Sequence, residues 1–323
     1  MPEVSTVGVL ITAFGGPDRL ESVGPFMRNL MGREPSAEMV ERAQRKYAAI
    51  GACSPLPGLA ARLAEGLELR MAEAGRSADV RVGMRYWRPP IAGSFAELVD
   101  GGARRVVALS LSPFESAVSS GAYRSAVAEA AGLHPGVEVT EAPSFFDAPD
   151  FIAALAQGAR DACERLDASN PFVVFTAHSL PADDAERDPA YVVQLRATAA
   201  AVAASIGLPA GRNEVDLVSV QPAFGHGGDH PWVLAYQSRG MAPGRWLGPA
   251  IEEVIEAAAA SGHDGIAACP IGFATDHMET LYDLDVVAAE KAREAGLAFV
   301  RAAVPNASPL LVEALFLQVD SVL

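Results

Sequence analysis

Two short stretches concentrate the side chains able to do chemistry. In Ala177-His178-Ser179-Leu180-Pro181 a histidine follows directly on the apolar run Phe172 to Thr176. An imidazole titrates near neutrality and serves as proton acceptor or metal ligand. The structural alternative is a histidine satisfied by backbone groups in a tight turn. The second stretch is Asp276-His277-Met278-Glu279-Thr280-Leu281-Tyr282-Asp283. If it opens a helix, Asp276, Glu279 and Asp283 fall at i, i+3 and i+7 on one face. Like charges that close repel, and burial raises their pKa unless protons or a cation neutralise them. A solvated acidic face accounts for such a run. A partly buried acidic rail facing His178 accounts for it too, and fits Leu281 and Tyr282 lying inside it. That pairing would bind a divalent cation or move protons.

Other segments carry weaker signals. Gly15-Gly16-Pro17 could let backbone approach a ligand closely, or be a plain turn. Arg85, Tyr86 and Trp87, with Phe114, Tyr123 and Trp246, could line an aromatic cleft for a flat anionic ligand, or be core. Gln237-Ser238-Arg239 and Trp246-Leu247-Gly248-Pro249 read as a polar turn leading into a helix. His226 and His230 flank two glycines in a segment from Leu208 to Pro231 that reads as a surface insertion, with one short strand at Val215–Val220.

These groups need a scaffold, and the apolar pattern supplies one. Continuous β-branched runs predict strands at Val7–Phe14, Val80–Trp87, Arg105–Ser112, Val137–Phe145, Phe172–Ser179, Trp232–Ser238, Gly265–Phe273 and Ala298–Pro305. Between them, helical patterns cover Glu38–Ala49, Leu59–Ala74, Ser94–Gly101, Tyr123–Ala131, Asp150–Leu166, Val192–Ile206, Pro249–Ser261 and Val286–Ala295. Strand alternating with helix means parallel α/β sheets. Four strands on either side of residue 148 predict two similar halves, 1–148 and 149–306. A last helix over 307–323, capped by Ser308 and Pro309, is expected to pack back on the first half. Ligands of open α/β sheets sit beyond the carboxyl ends of the strands, and there the titratable groups converge.

Composition narrows the function classes. Forty Asp plus Glu against twenty-five Lys plus Arg give a formal charge of −15 over 323 residues, unsuited to wide contact with nucleic acid or anionic lipid. No apolar run reaches the roughly 18 residues of a membrane helix, and no basic stretch precedes an apolar one near Met1, so a cytoplasmic protein is expected. The three cysteines, Cys53, Cys163 and Cys269, are too few for an iron–sulfur cluster and too scattered for a disulfide frame.

Read in order, the motifs resemble the ferrochelatase family from about residue 7 to about residue 310. The marks are Phe14-Gly15-Gly16-Pro17, Tyr47-Ala48-Ala49-Ile50-Gly51 leading to Ser54-Pro55-Leu56, Met84-Arg85-Tyr86-Trp87 and the histidine-serine-leucine-proline turn. Gln237-Ser238-Arg239, Trp246-Leu247-Gly248-Pro249 and the aspartate-histidine-x-glutamate rail through Asp285 complete them. The resemblance implies two flavodoxin-like (Rossmann-like) halves with a porphyrin cleft between them, and insertion of ferrous iron into the macrocycle. It puts His178 at the porphyrin centre as metal ligand or first proton acceptor, with Glu279 across from it as the second catalytic and metal-binding residue, relaying protons or iron. It assigns relay of protons or iron to Asp276, His277 and Asp283. Tyr47, Ser54 and Tyr123 match positions that contact the porphyrin periphery, and Phe14, Arg85 and Trp246 are expected to join them in binding it. Iron and porphyrin are then substrates, no cofactor is required, and a monomer with transient haem-pathway contacts is expected.

Some residues depart from the family pattern. Phe14 stands where some members carry tyrosine, Val287 interrupts the acidic rail beyond Asp283, and the 208–231 insertion has no counterpart. The segment from Pro17 to Tyr47 lacks a long apolar lip, which resembles the coproporphyrin type. Arg28, Arg33, Arg42, Arg45 and Lys46 could meet that substrate's propionates, although Leu30 and Met31 replace arginines of some members. Protoporphyrin IX is the alternative substrate. Rival readings are a cobalt or nickel chelatase, a non-catalytic haem or porphyrin carrier on the same scaffold, and an exported solute-binding protein.

Overall fold

The computed structural model describes residues 7–209, 232–240 and 244–323. Residues 210–231, which include the expected strand Val215–Val220 as well as His226 and His230, lie outside the described residues. The chain divides into two compact units, Met1–Phe145 with Asn306–Leu323, and Phe146–Pro305.

Unit 1 contains β1 (Val7–Ala13), α1 (Val23–Met31), α2 (Ala37–Ala49), α3 (Leu56–Glu73) and β2 (Ala78–Met84), then α4 (Ile91–Asp100), β3 (Arg105–Ser110), α5 (Ser120–Gly132) and β4 (Glu138–Glu141). Unit 2 runs α6 (Pro149–Arg165), β5 (Pro171–His178), α7 (Ala182–Arg187), α8 (Ala190–Ser205), β6 (Trp232–Ser238), α9 (Ile251–Ala260) and β7 (Gly265–Cys269). A π-helix (Glu279–Ala288), α10 (Ala289–Glu294) and β8 (Ala298–Arg301) close it. The chain then returns to unit 1 as α11 (Pro309–Asp320).

Each sheet is four-stranded and parallel, ordered β2-β1-β3-β4 and β6-β5-β7-β8. The two orders are the same permutation, the first four strands of the flavodoxin-like arrangement. In each unit the order reverses beside the first strand, opening a crevice at the carboxyl ends there. Parallel strands need cover on both faces, which is why the central runs are apolar throughout: Val9, Leu10, Ile11, Val174 and Phe175 are all fully buried.

Cover comes from amphipathic crossovers. In unit 1, Ile91, Phe95 and Leu98 of α4 and Val127 and Ala130 of α5 pack with Leu10 and Val106. In unit 2, Ile251, Val254 and Ile255 of α9 and Leu284 and Ala288 of the π-helix pack with Phe172, Val174 and Ile266. The Ser308 side chain caps α11 by accepting from the Leu311 N–H, with Pro309 in the first turn. This helix lies along α3, where a Cβ on Gly66 would come within 2.9 Å of Val312. The Arg70 guanidinium binds both oxygens of Glu313 there and stacks on Phe316.

Several expectations need correction. β4 stops at Glu141, short of the expected Phe145, and β2, β7 and β8 end at Met84, Cys269 and Arg301, so the expected extensions to Trp87, Phe273 and Pro305 are not strand. α1 lies outside the expected helices. Pro25 lies in the first turn, where the missing N–H has no intrahelical partner to lose.

Candidate functional site

β5 places the histidine. Alternate residues of a strand share a face, and Phe172 and Val174 point into the cluster under α9 and the π-helix. Continuing the alternation brings Thr176 and then His178 to that same face. As the last residue of β5, beside the point where the strand order reverses, His178 leaves the core there and is 30 % exposed.

β7 delivers the carboxylate. After it, Pro270 to Met278 lead into the π-helix, whose first residue is Glu279. π-Helices are rare and concentrate at functional sites. His178 Nδ1 and Glu279 Oε2 stand 3.0 Å apart, and Glu279 is 31 % exposed, so the pair is half-buried with access to a ligand. Burial opposes charge on the imidazole, but the Glu279 carboxylate, by charge and hydrogen bond, and Asp283 behind it prevail and raise the His178 pKa above its ordinary 6.5. With Glu279 ionised, Nδ1–H donates to it, which leaves Nε2 as the nitrogen a substrate can meet.

This contact overturns one expectation. A macrocycle cannot pass between two groups 3.0 Å apart, so Glu279 does not face His178 across a porphyrin. Both belong to unit 2.

The acidic rail also differs from the expected helical stack. Asp276 and His277 precede the helix. Asp276 binds Arg301 of β8 at 3.0 Å and accepts from Thr280 Oγ1 at 2.9 Å, while Arg301 also holds Asp285 at 2.7 Å. Asp276 is thus a partner in a braced turn, and its stack with Glu279 and Asp283 does not form. His277 is half-buried with its ring edge-on to Phe273, centroids 4.5 Å apart, and desolvation lowers its pKa. Its Nδ1 is one of two buried side-chain polar atoms without a hydrogen-bond partner among the described residues. Asp283 stays with the site, its carboxylate accepting from Ser238 Oγ at 2.5 Å.

Two supports were not read from the sequence as functional. Tyr191 of α8 donates its hydroxyl to the His178 carbonyl at 2.8 Å. Burial, with Tyr236 and Glu279 nearby, raises the phenol pKa well above 10, so the proton stays for that bond. Gln237 of β6 donates to the Glu279 carbonyl at 2.7 Å. A polar residue at the inner end of an otherwise apolar strand was the available signal for Gln237. Tyr191 carried none beyond its type.

The remaining predicted residues divide by unit. Trp246 is half-buried in unit 2, its ring packed so close to Gly240 that a Cβ there would meet it at 2.7 Å. In unit 1, Phe14 packs edge-on against Tyr86 (4.8 Å) and Phe26 (6.3 Å), and Phe26 against Trp87 (6.0 Å). Arg85 is exposed, with its guanidinium over Tyr86. Tyr47 and Ser54 are buried. Gly16 has no room for a side chain because Ser54 fills it, and Gly15, at φ +101°, packs on Trp87, so this turn is shaped by its own neighbours. Tyr123 lines a small depression at the carboxyl ends of β1, β3 and β4 with Ser110, Ser112, Ser120 and Arg124. Phe114 is core, 1 % exposed.

Among the described residues no three or more His, Cys, Asp and Glu side chains are arranged to hold a metal ion, and no helix is long and apolar enough to cross a membrane.

Comparison with known proteins gives this geometry a context. The family model described as ferrochelatase matches residues 6–322. The chain is 30 % identical over 311 residues to a ferrochelatase of Deinococcus radiodurans, covering 95 % of this chain and 92 % of that one. It is 33 % identical over 315 residues to a coproporphyrin III ferrochelatase of Mycolicibacterium vanbaalenii, covering 95 % and 87 %. Among solved structures it is similar in fold to SirB from Bacillus subtilis with Fe3+, with a TM-score of 0.57 at 13 % identity over 98 % of this chain and 95 % of that one.

Proposed function

Because the chain belongs to the ferrochelatase family, we propose that it inserts ferrous iron into coproporphyrin III, with His178 and Glu279 as the reacting pair. The single observation that carries this reading is the contact between His178 Nδ1 and Glu279 Oε2 at a strand end where the sheet order reverses.

Insertion removes two pyrrole protons and strips water from Fe2+. His178 offers Nε2 as first proton acceptor or as iron ligand, and Glu279 stabilises the imidazolium that results. Asp283, held by Ser238, adds negative charge behind the pair. A single imidazole nitrogen leaves most of the iron's coordination positions open, which suits a metal that is passed on. Porphyrin and Fe2+ give metalloporphyrin and two protons, so the reaction balances without a cofactor.

For the porphyrin, support comes from the Mycolicibacterium relative and from the arginines of α1 and α2. Arg28 pairs with Glu34, Arg42 with Glu38 and Arg45 with Glu41, all on exposed side chains. Exposed pairs of this kind are worth little, so a propionate can replace the carboxylate at small cost. Insertion rates with coproporphyrin III and protoporphyrin IX test the reading. It predicts kcat/KM at least about tenfold higher for coproporphyrin III; equal values or the reverse order would overturn the substrate assignment.

A further inference from the structure

Gln237 sits where the ladder between β5 and β6 slips. Ala177 pairs with Tyr236 and His178 with Ser238, so Gln237 is an extra residue without a partner on β5. A bulge re-aims the side chain it carries. Here that side chain is buried, at 5 % exposure, and makes two bonds of opposite sense. Its oxygen accepts from Thr176 Oγ1 at 2.5 Å, and its nitrogen donates to the Glu279 carbonyl at 2.7 Å. Thr176 is fully buried two residues before His178 on the same strand. Glu279 is the first residue of the π-helix and the partner of His178.

A carboxamide suits this place because it carries an acceptor and a donor on one rigid group. A glutamate would turn an acceptor toward the carbonyl, and a methionine would fill the space while making neither bond. The strut joins the strand that bears the imidazole to the backbone of the residue that bears the carboxylate. We propose that Gln237 is a positioning residue for iron insertion: a bulge-borne strut that fixes the Glu279 backbone against β5 and so sets the imidazole–carboxylate contact. This rests on the function proposed above and extends it to a residue that need not touch either substrate.

A double-mutant cycle separates positioning from general support of the fold. Turnover, normalised to folded protein by circular dichroism, is compared for the unmodified chain, Gln237→Met, Glu279→Gln and the double variant. Porphyrin affinity is measured by fluorescence without iron. The expected result is about a tenfold loss of kcat for Gln237→Met, with porphyrin Kd within about twofold. In the Glu279→Gln background the same substitution costs less than about twofold, because the carboxylate it positions is gone. Should Gln237→Met fold poorly, Thr176→Val removes the far end of the strut and is expected to show the same non-additivity. An equal loss in both backgrounds, or full activity of Gln237→Met, overturns the strut while leaving the proposed function standing. An unmodified protein that binds porphyrin and inserts no iron overturns the proposed function and the strut with it.

Discussion

The two units share a strand order but not a chemistry, and the crossover after the third strand shows why. In unit 1, β3 leads through Ser112-Pro113-Phe114 to α5, a regular helix whose Tyr123 and Arg124 line a hydroxyl-rich depression. In unit 2, the corresponding β7 leads to a π-helix whose first residue meets the histidine at the end of β5. The strand ends differ as well. β1 runs into Phe14-Gly15-Gly16, packed by Ser54 and Trp87, whereas β5 ends on His178. One scaffold thus carries two arrangements: unit 2 holds the proposed reacting pair, and unit 1 holds polar and aromatic groups at its strand ends. Variants in unit 2 should act on kcat, and variants in unit 1 on KM.

The largest effect is expected from His178→Ala, which should lower iron insertion roughly 10³-fold while the circular dichroism spectrum and porphyrin affinity stay near those of the parent. Near-normal turnover would break the contrast between units at once. Glu279→Gln keeps shape and loses charge, and should lower kcat about 10²-fold with porphyrin affinity within about twofold. Arg301→Met tests whether the braced turn before the π-helix matters to stability. It removes the cationic partner of the half-buried Asp276 carboxylate and should cost about 2 kcal/mol in urea unfolding; an unchanged midpoint would show that the brace is idle. The smallest effect belongs to unit 1, where Tyr123→Phe should raise KM for porphyrin about threefold and leave kcat unchanged. A kcat effect there would blur the division of labour.

Much of this was legible in the residues. Every described strand of the two sheets was expected, and most plainly the central ones, because a strand covered on both faces announces itself as a nearly unbroken apolar run. His178 was legible because a lone titratable side chain ended such a run. Elements stabilised by tertiary context were not. The helix Ala182–Arg187 is short and leans on local turns, and α1 carries Gly24-Pro25 in its first turn. The π-helix has no periodic signature distinct from an α-helix over ten residues, so Asp276 was placed on a helix that begins after it. Gln237 stood out as polar, but the bulge that turns it inward depends on the pairing of β6 with β5, which no local pattern encodes.

The central claim is that His178 and Glu279 act as one unit, and the pH dependence of kcat/KM for Fe2+ tests it most directly. Protons compete with both roles of the imidazole, so activity should fall as pH drops through the His178 pKa, which the carboxylate holds above 6.5. In Glu279→Gln the raising influence of that carboxylate is lost and burial remains, so the midpoint of this acid limb should move to lower pH. An acid limb at the same pH in both proteins would contradict the account.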